Sequence, residues 1–491
     1  WAAPGEKVTV TLDKSTVRTT ASREGKWKVR LASMPYGGPY TLTIRGKNTL
    51  VFENVMIGEV WVCSGQSNME WPVASVKNAE TVLTAADYPD IRLFQVPKRV
   101  AQFPVDDLES GEWSVCTPKT IAGFSAVGYF FGRNLHQDLK VPIGLVETAW
   151  GGTVAETWSS GQTIEKDPDF AGLLKQLREM DMNRYKEEQT ARLKQLFDGE
   201  IPVEDKGMVN GNPVWNAIDL NDGDWKTLIA PKYWEEQGYA QIDGVAWYRK
   251  EILLSEEQTQ SNVILHLGKI DDSDITWMNG MEIGKTEGLF DKDRVYTIDK
   301  KYLKPGKNML VVRVNDTGGN GGMWGDPKEQ FLAIGNEKLG ISGEWKFRIA
   351  KAVISSVNVG PNSYPTLLFN GMISPLLPFA IRGAIWYQGE SNAGRAKQYQ
   401  RIFPEMISDW RTNWGQGDFP FLFVSLANFM APAEVPGESS WAELREAQTM
   451  TLSLPNTGMA LAIDIGDAAD IHPINQDLAG ALVKKLAAAG Y

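Results

Sequence analysis

The chain has 491 residues, a formal net charge of −11, 43% hydrophobic residues and 23% charged residues. Ordinary domains run roughly 100–200 residues, so this length implies two to four compact globular units rather than disordered or fibrous material. The acidic balance argues against nucleic-acid and anionic-membrane partners, and no uninterrupted apolar run approaches the ~18–20 residues of a membrane span.

The chain opens at Trp1 with neither Met nor a charged–apolar leader, which reads as a processed or trimmed start. Residues 1–57 read as a small β-rich segment. VTVTL and YTLTI alternate polar and apolar residues, with turns at REGKW and PYGGPY, but the strands are too few to form a sandwich alone. Residues 58–162 change the pattern: EVWVCS and PIGLVETAWGG are continuous apolar strands running into glycine-containing loops, and AVGYFFGRNLHQDLK is an amphipathic helix. Residues 163–354 read as an insertion. Its first part is a charged helical stretch to about 198. From about 210 it is all-β, with strands in GVAWYRKEILL, NVILHLGKI, DITWMNGMEIGKT and NMLVVRVND and an Asn-Gly hairpin turn at MNGM. The α/β pattern resumes over 355–491 with the strands of RGAIWYQGESN, FPFLFVSLANF and GMALAIDIGD and the long helix AKQYQRIFPEMISDWRTNW. The fold class is therefore α/β, a mostly parallel sheet with helices on both faces, interrupted by a β-sandwich. In such sheets the chemistry collects in loops at the carboxyl ends of the strands.

Four such loops carry chemistry-bearing residues. Gly65-Gln66-Ser67-Asn68-Met69 follows the first apolar strand and presents a serine where a nucleophile is wanted, although Met69 stands where a GxSxG elbow needs glycine. Trp150-Gly151-Gly152-Thr153 offers backbone N–H groups free of side-chain crowding, as an oxyanion hole requires; a plain Gly-Gly turn reads the same. In Tyr387-Gln388-Gly389-Glu390-Ser391-Asn392, Gln388 or Asn392 offers an amide donor, and Glu390 a carboxylate to orient a base or hold substrate. Asp464, Asp467 and Asp470 surround His472. The chain has three histidines, and only His472 follows a strand end of the α/β region; His136 lies on the amphipathic helix and His266 inside a strand of the insertion. A serine hydroxyl needs such a base, and the base a partner. Two cysteines without a CxxC pair, and no HExxH, exclude a Cys-rich zinc site. Gly280–Thr286 resembles a P-loop but has three residues between its glycines where four are needed, in an all-β stretch.

Together the blocks GEVWVCSGQSNMEWP, AWGGT, IWYQGESNAG and DIGDAADIHP resemble, in the same order, the SGNH hydrolase superfamily, in its branch of sialate O-acetylesterases and related carbohydrate acetylesterases. The resemblance covers nearly the whole chain. It implies a flavodoxin-like three-layer sandwich and a serine esterase acting on acetylated carbohydrate, exported to the periplasm or cell exterior, with no metal or organic cofactor. Ser67 resembles the nucleophile and His472 the base. The N–H groups of Ser67 and Gly152 and the side chain of Gln388 resemble the oxyanion hole. Many members place an aspartate three residues before the histidine, where this chain has Ala469; Asp470 is the nearest acid, with Asp467, Asp464 and Glu390 as alternatives. The resemblance leaves open whether the sugar is an acetylated sialic acid or an acetylated xylan, and a non-catalytic carbohydrate-binding protein is the rival reading. Sialic acid carries a carboxylate, for which Arg395 is a candidate cation, with a surface or structural arginine as the other reading. The insertion resembles galactose-binding-like jelly rolls, in which Trp277 and Trp324 would stack on sugars or pack in the core.

Overall fold

Alternation builds the first sheet. In β1 (Lys7–Leu12) the side chains of Val8, Val10 and Leu12 are buried and those between them are less so. With β2 (Ser15–Thr20), β3 (Gly37–Arg45) and β4 (Thr49–Ile57) it forms an antiparallel sheet in the order β2-β1-β3-β4. The computed structural model describes all residues except 198, 241, 355–358, 433–434, 436, 476–484 and 487–491.

The second sheet holds the continuous apolar strands: β5 (Glu59–Gly65), β6 (Tyr88–Gln95), β7 (Ser114–Cys116), β8 (Ile143–Ala149), β9 (Gly383–Tyr387), β10 (Phe421–Val424) and β11 (Thr457–Ala460). Its order is β11-β10-β9-β5-β8-β6-β7, parallel throughout except for β7 against β6. The five strands β8-β5-β9-β10-β11 have the chain order 2-1-3-4-5 of a doubly wound sheet, and β6 and β7 extend it beyond β8. The chain leaves β5 for one side of the sheet and later returns on the other, so loops from both sides converge at the carboxyl end of β5.

Both faces of this sheet are covered, which explains the uninterrupted apolar runs. Trp61, Cys63, Leu145 and Ile385 pack with Phe131 and Leu135 of a helix over Ala126–Leu139. On the other face Val62, Val146, Ala384 and Trp386 pack with Phe403 and Trp410 of the helix Ala396–Trp414 and with Leu444 of the helix Ser440–Met450. Burial of each large apolar side chain contributes about 1.5–3 kcal/mol. Among the described residues no helix is long and apolar enough to cross a membrane.

Two compact units result, Trp1–Met180 with Val359–Tyr491 and, separately, Asp181–Asn358. The helical stretch from residue 163, expected to open the insertion, belongs instead to the first unit up to Met180: Ile164, Phe170 and Leu174 share a core with Trp158. An amphipathic pattern states that a helix has an apolar face, not which core receives it.

The second unit is a sandwich of antiparallel sheets. One pairs Lys226–Ala230, Gly343–Ile354, Ile242–Leu254, Gly306–Asp316, Ser273–Met278 and Met281–Thr286 in that order. The other is built around Val263–Asp271. Tyr248, Leu310 and Val312 of the first meet Leu265, Ile298 and Leu332 of the second in one core. Asn279 and Gly280 have φ of 51° and 82°, as a primed hairpin turn requires. The P-loop-like string is the strand that follows this turn, and no phosphate-cradling helix succeeds it. Trp277 is 3% exposed and stacked on Trp247 at 5.2 Å, so it is a core residue and no sugar platform.

The turn out of β5 needs glycine. Gly65 has φ +143°, and a Cβ there would stand 2.1 Å from the carbonyl oxygen of Tyr387. Gly65→Ala is expected to lower stability by about 1–3 kcal/mol or more, through overpacking and a strained φ. Chemical denaturation measures this, and an unchanged midpoint would contradict the assignment of the turn.

Candidate active site

The four loops marked in the sequence all leave carboxyl ends of strands of the parallel sheet, after β5, β8, β9 and β11. Ser67 begins the short helix α1 (Ser67–Glu70) directly after the Gly65 turn. As the first residue of a helix its N–H has no intrahelical acceptor, and no other acceptor takes it among the described residues.

The residues on either side of Ser67 tie the neighbouring loops to it. The side-chain oxygen of Gln66 accepts the N–H groups of Gly389 and Ser391, both at 3.3 Å. Asn68, fully buried, donates through Nδ2 to Glu390 Oε1 at 2.6 Å and to the carbonyl of Ile471 at 3.2 Å. Both partners are acceptors, which fixes the amide's orientation. Its Oδ1 is buried and without a partner among the described residues. Neither Gln66 nor Asn68 was singled out from the sequence, although each is a polar side chain beside the serine on a strand end that must be buried.

His472 arrives through the same contact. Ile471 is held by Asn68, the N–H of Lys77 donates to the carbonyl of Ile474 at 3.0 Å, and the imidazole stacks on Trp71 at 4.7 Å and 16°. Its Nδ1 lies 3.3 Å from Asp470 Oδ1, which also accepts the backbone N–H of His472 at 2.8 Å. Its Nε2 is buried with no hydrogen-bond partner among the described residues. Of the acids weighed, Asp470 is the one paired with the ring. Asp467 accepts the N–H of Ala469 at 2.9 Å, and Asp464 is exposed. Glu390 faces Asn68, and burial pushes its carboxyl above the usual range. The other histidines have structural contacts: His136 Nδ1 meets the carbonyl of Val141 at 2.8 Å, and His266 stacks on Phe331 at 4.3 Å.

The Gly-Gly loop lies against the serine. A side chain at Gly151 would meet Ser67 Cβ at 3.4 Å, and the Gly151 N–H is already given to Glu70 Oε2 at 2.7 Å, with Lys98 on the other oxygen at 2.5 Å. Gly152, at φ +72°, has open space where a Cβ would stand, and its N–H has no acceptor among the described residues. Asn362 clamps this loop, donating to the Gly152 carbonyl at 2.8 Å and accepting the Val154 N–H at 3.1 Å. Two backbone donors, those of Ser67 and Gly152, are thus without an acceptor among the described residues.

Gln388 does not join them. Its amide donates to the Thr153 carbonyl at 3.0 Å and to Asn392 Oδ1 at 2.6 Å, while its oxygen accepts from Tyr399 at 3.1 Å. Asn392 in turn donates to Glu156 at 3.1 Å and accepts the Ala155 N–H at 3.0 Å. Both expected donors are buried girders between the loops after β8 and β9. Arg395 is likewise engaged, paired with the buried Glu156 at 2.8 Å and hydrogen-bonded to Gln398.

Comparisons with known proteins give the family of the chain. A family model described as carbohydrate esterase, sialic acid-specific acetylesterase, matches residues 57–193 and 365–490, more than half of the chain. Sialate O-acetylesterase of Rattus norvegicus is 37% identical and that of Mus musculus 26% identical, each over 96% of this chain and 66% of the relative. The chain therefore spans just under two thirds of the length of these relatives. A crystal structure of a carbohydrate acetylesterase from Xanthomonas citri is similar with a TM-score of 0.57 and 26% identity, over 98% of this chain and 68% of that one.

The engagement of Arg395 has a consequence for stability. Arg395→Ala removes the ion-pair partner of the buried Glu156 carboxylate, leaving it the Asn392 donor, and is expected to cost about 1–3 kcal/mol, less than a fully buried pair because the arginine is 39% exposed. Adding Glu156→Gln to that variant should recover part of the loss in thermal unfolding. Wild-type stability of Arg395→Ala would contradict the structural role.

Proposed function

The chain belongs to the carbohydrate esterase family of sialic acid-specific acetylesterases, and from that premise we propose that it removes O-acetyl groups from sugars, with acetylated sialic acids as its substrate. The observation that carries this reading is the docking of His472, with an unpartnered Nε2, against the segment that presents Ser67.

In the proposed mechanism Ser67 Oγ attacks the acetyl carbonyl carbon while His472 Nε2 takes the hydroxyl proton. The N–H groups of Ser67 and Gly152 receive the negative charge that develops on the carbonyl oxygen. Asp470 holds the ring through Nδ1 and stabilises the imidazolium. The 3.3 Å separation suits a free enzyme, in which such contacts often tighten only with substrate. The tetrahedral intermediate expels the sugar oxygen, which takes the proton from His472, leaving acetyl-Ser67. Water attacks this ester with His472 again as base, and acetate departs as Ser67 regains its proton. Gln388 and Asn392 contribute by fixing the loop that carries Gly152.

The second unit is proposed as a jelly-roll-like carbohydrate-binding insertion, supported by its two antiparallel sheets around one core. The SGNH-type layout is supported by the 2-1-3-4-5 strand order. The exported location rests on the family alone, and fractionation of the native host tests it.

Acetate release from 9-O-acetyl sialic acid and from acetylated xylo-oligosaccharides tests the activity. Wild-type protein should deacetylate the sialic acid faster, and Ser67→Ala should lose about 10⁴-fold or more of that rate. Full activity of Ser67→Ala would remove the serine mechanism. Sugar binding without acetate release from the wild type would favour a non-catalytic carbohydrate-binding protein.

A further inference from the structure

The second unit holds carboxylates that the proposed ester chemistry does not use. Asp271 ends the strand Val263–Asp271, Asp272 makes the turn into Ser273–Met278, and Asp316 ends Gly306–Asp316. One carboxylate oxygen from each lies within 4.8 Å of the other two. Proximity of acids is common, but Asp316 adds something that proximity does not. It is 2% exposed, its Oδ1 accepts the Gly318 N–H at 2.9 Å, and its Oδ2 is buried with no hydrogen-bond partner among the described residues. A carboxylate oxygen stripped of water and left without a donor is costly, and native structures seldom tolerate one without a ligand to meet it.

No lysine or arginine forms an ion pair with Asp271, Asp272 or Asp316 among the described residues. Arg294, buried in the same region, gives its charge to Asp274 Oδ1 at 2.9 Å and its remaining donors to backbone carbonyls, that of Asp272 among them at 2.9 Å. Thr317 donates to Asp272 Oδ2 through both its N–H, at 2.9 Å, and its hydroxyl, at 2.5 Å. Burial and the neighbouring acids push Asp271 up to about 7 and Asp316 up to about 6, whereas Asp272, buried less and held by the Thr317 donors, lies below the usual carboxylate range.

The donor set selects the ion. It is all oxygen, which suits a hard divalent cation. Oxygens bound to one calcium ion at about 2.4 Å stand at most about 4.8 Å apart, so the three oxygens fit one coordination sphere. Asp271 and Asp272 are only half-buried, which leaves solvent a path to the site. We propose that Asp271, Asp272 and Asp316 form a calcium site that fastens the Asp316–Gly322 loop to the turn after Asp271. That loop leads into the strand Gly322–Trp324, which pairs with Lys269–Asp271 and carries Trp324 to its stack on Tyr233. The ion would therefore stiffen a sandwich edge that presents a partly exposed aromatic pair.

The full chain, stripped with EGTA and exchanged into chelator-free buffer, tests this by calorimetric titration with CaCl₂. One calcium per chain should bind, and the thermal unfolding midpoint should rise with added CaCl₂. Asp316→Asn and the more exposed Asp271→Asn, each checked for native circular dichroism, should bind at least tenfold more weakly and lose the calcium-dependent rise. Ser67→Ala should bind calcium like the wild type, which separates this site from the proposed esterase. No calcium uptake by the wild type, unchanged affinity in a folded Asp271→Asn, or magnesium binding as tight as calcium would overturn the proposal.

Discussion

The site depends on one buried amide. Asn68 Nδ2 joins Glu390, after β9, to the carbonyl of Ile471, after β11, and does so from the residue next to Ser67. A single side chain thereby sets three loops in register at the end of the sheet. A hydrogen bond from a neutral donor to a carboxylate is worth about 1.5–3 kcal/mol, and more is lost when a buried acceptor is stranded. Ordering the segment that carries His472 costs conformational entropy of roughly 1–2 kcal/mol per residue. The Asn68 bridge, the Lys77–Ile474 bond and the Trp71 stack offset that cost at the point where the proposed base is held.

The sheet makes such a bridge possible. Because the chain runs to one side of β5 and returns on the other, loops separated by hundreds of residues meet around Ser67. The residues of the GQSN string then divide the work. Gly65 makes the turn, Gln66 and Asn68 secure the loops on either side, and Ser67 alone is left with a free hydroxyl and a free N–H at the mouth. Polar residues farther out, Gln388, Asn392 and Asn362, spend their hydrogen bonds on the loop that offers the Gly152 N–H. In the proposed mechanism, donors fixed in this way do not have to reorient as charge develops.

What was legible in the sequence followed from local rules. Continuous apolar runs marked the strands covered on both faces, the 3.6-residue period marked the helix Ala396–Trp414, and Asn279-Gly280 marked a hairpin. Ser67, Gly152 and His472 could be named as candidates because each stands in a short string with its own chemical signature. The long-range contacts were not visible. Gln388 read as an oxyanion donor because an amide at a strand end is equally suited to catalysis and to bracing, and only the positions of Thr153 and Asn392 decide between them. Arg395 read equally as a substrate cation or a structural arginine because its partner Glu156 lies far away in sequence. The edge strand β7, three residues long, has too short a pattern to declare itself.

The measurement that tests this account most directly is the rate at which a fluorophosphonate ester labels the chain, with the modified residue located by mass spectrometry. Labelling requires both an activated serine and the base beside it. The account predicts one label per wild-type chain, on Ser67, and labelling about 10²-fold slower in Asn68→Ala, because a displacement of about 1 Å at a reacting group costs that much. A label on another residue, or wild-type labelling kinetics in a folded Asn68→Ala, would contradict it.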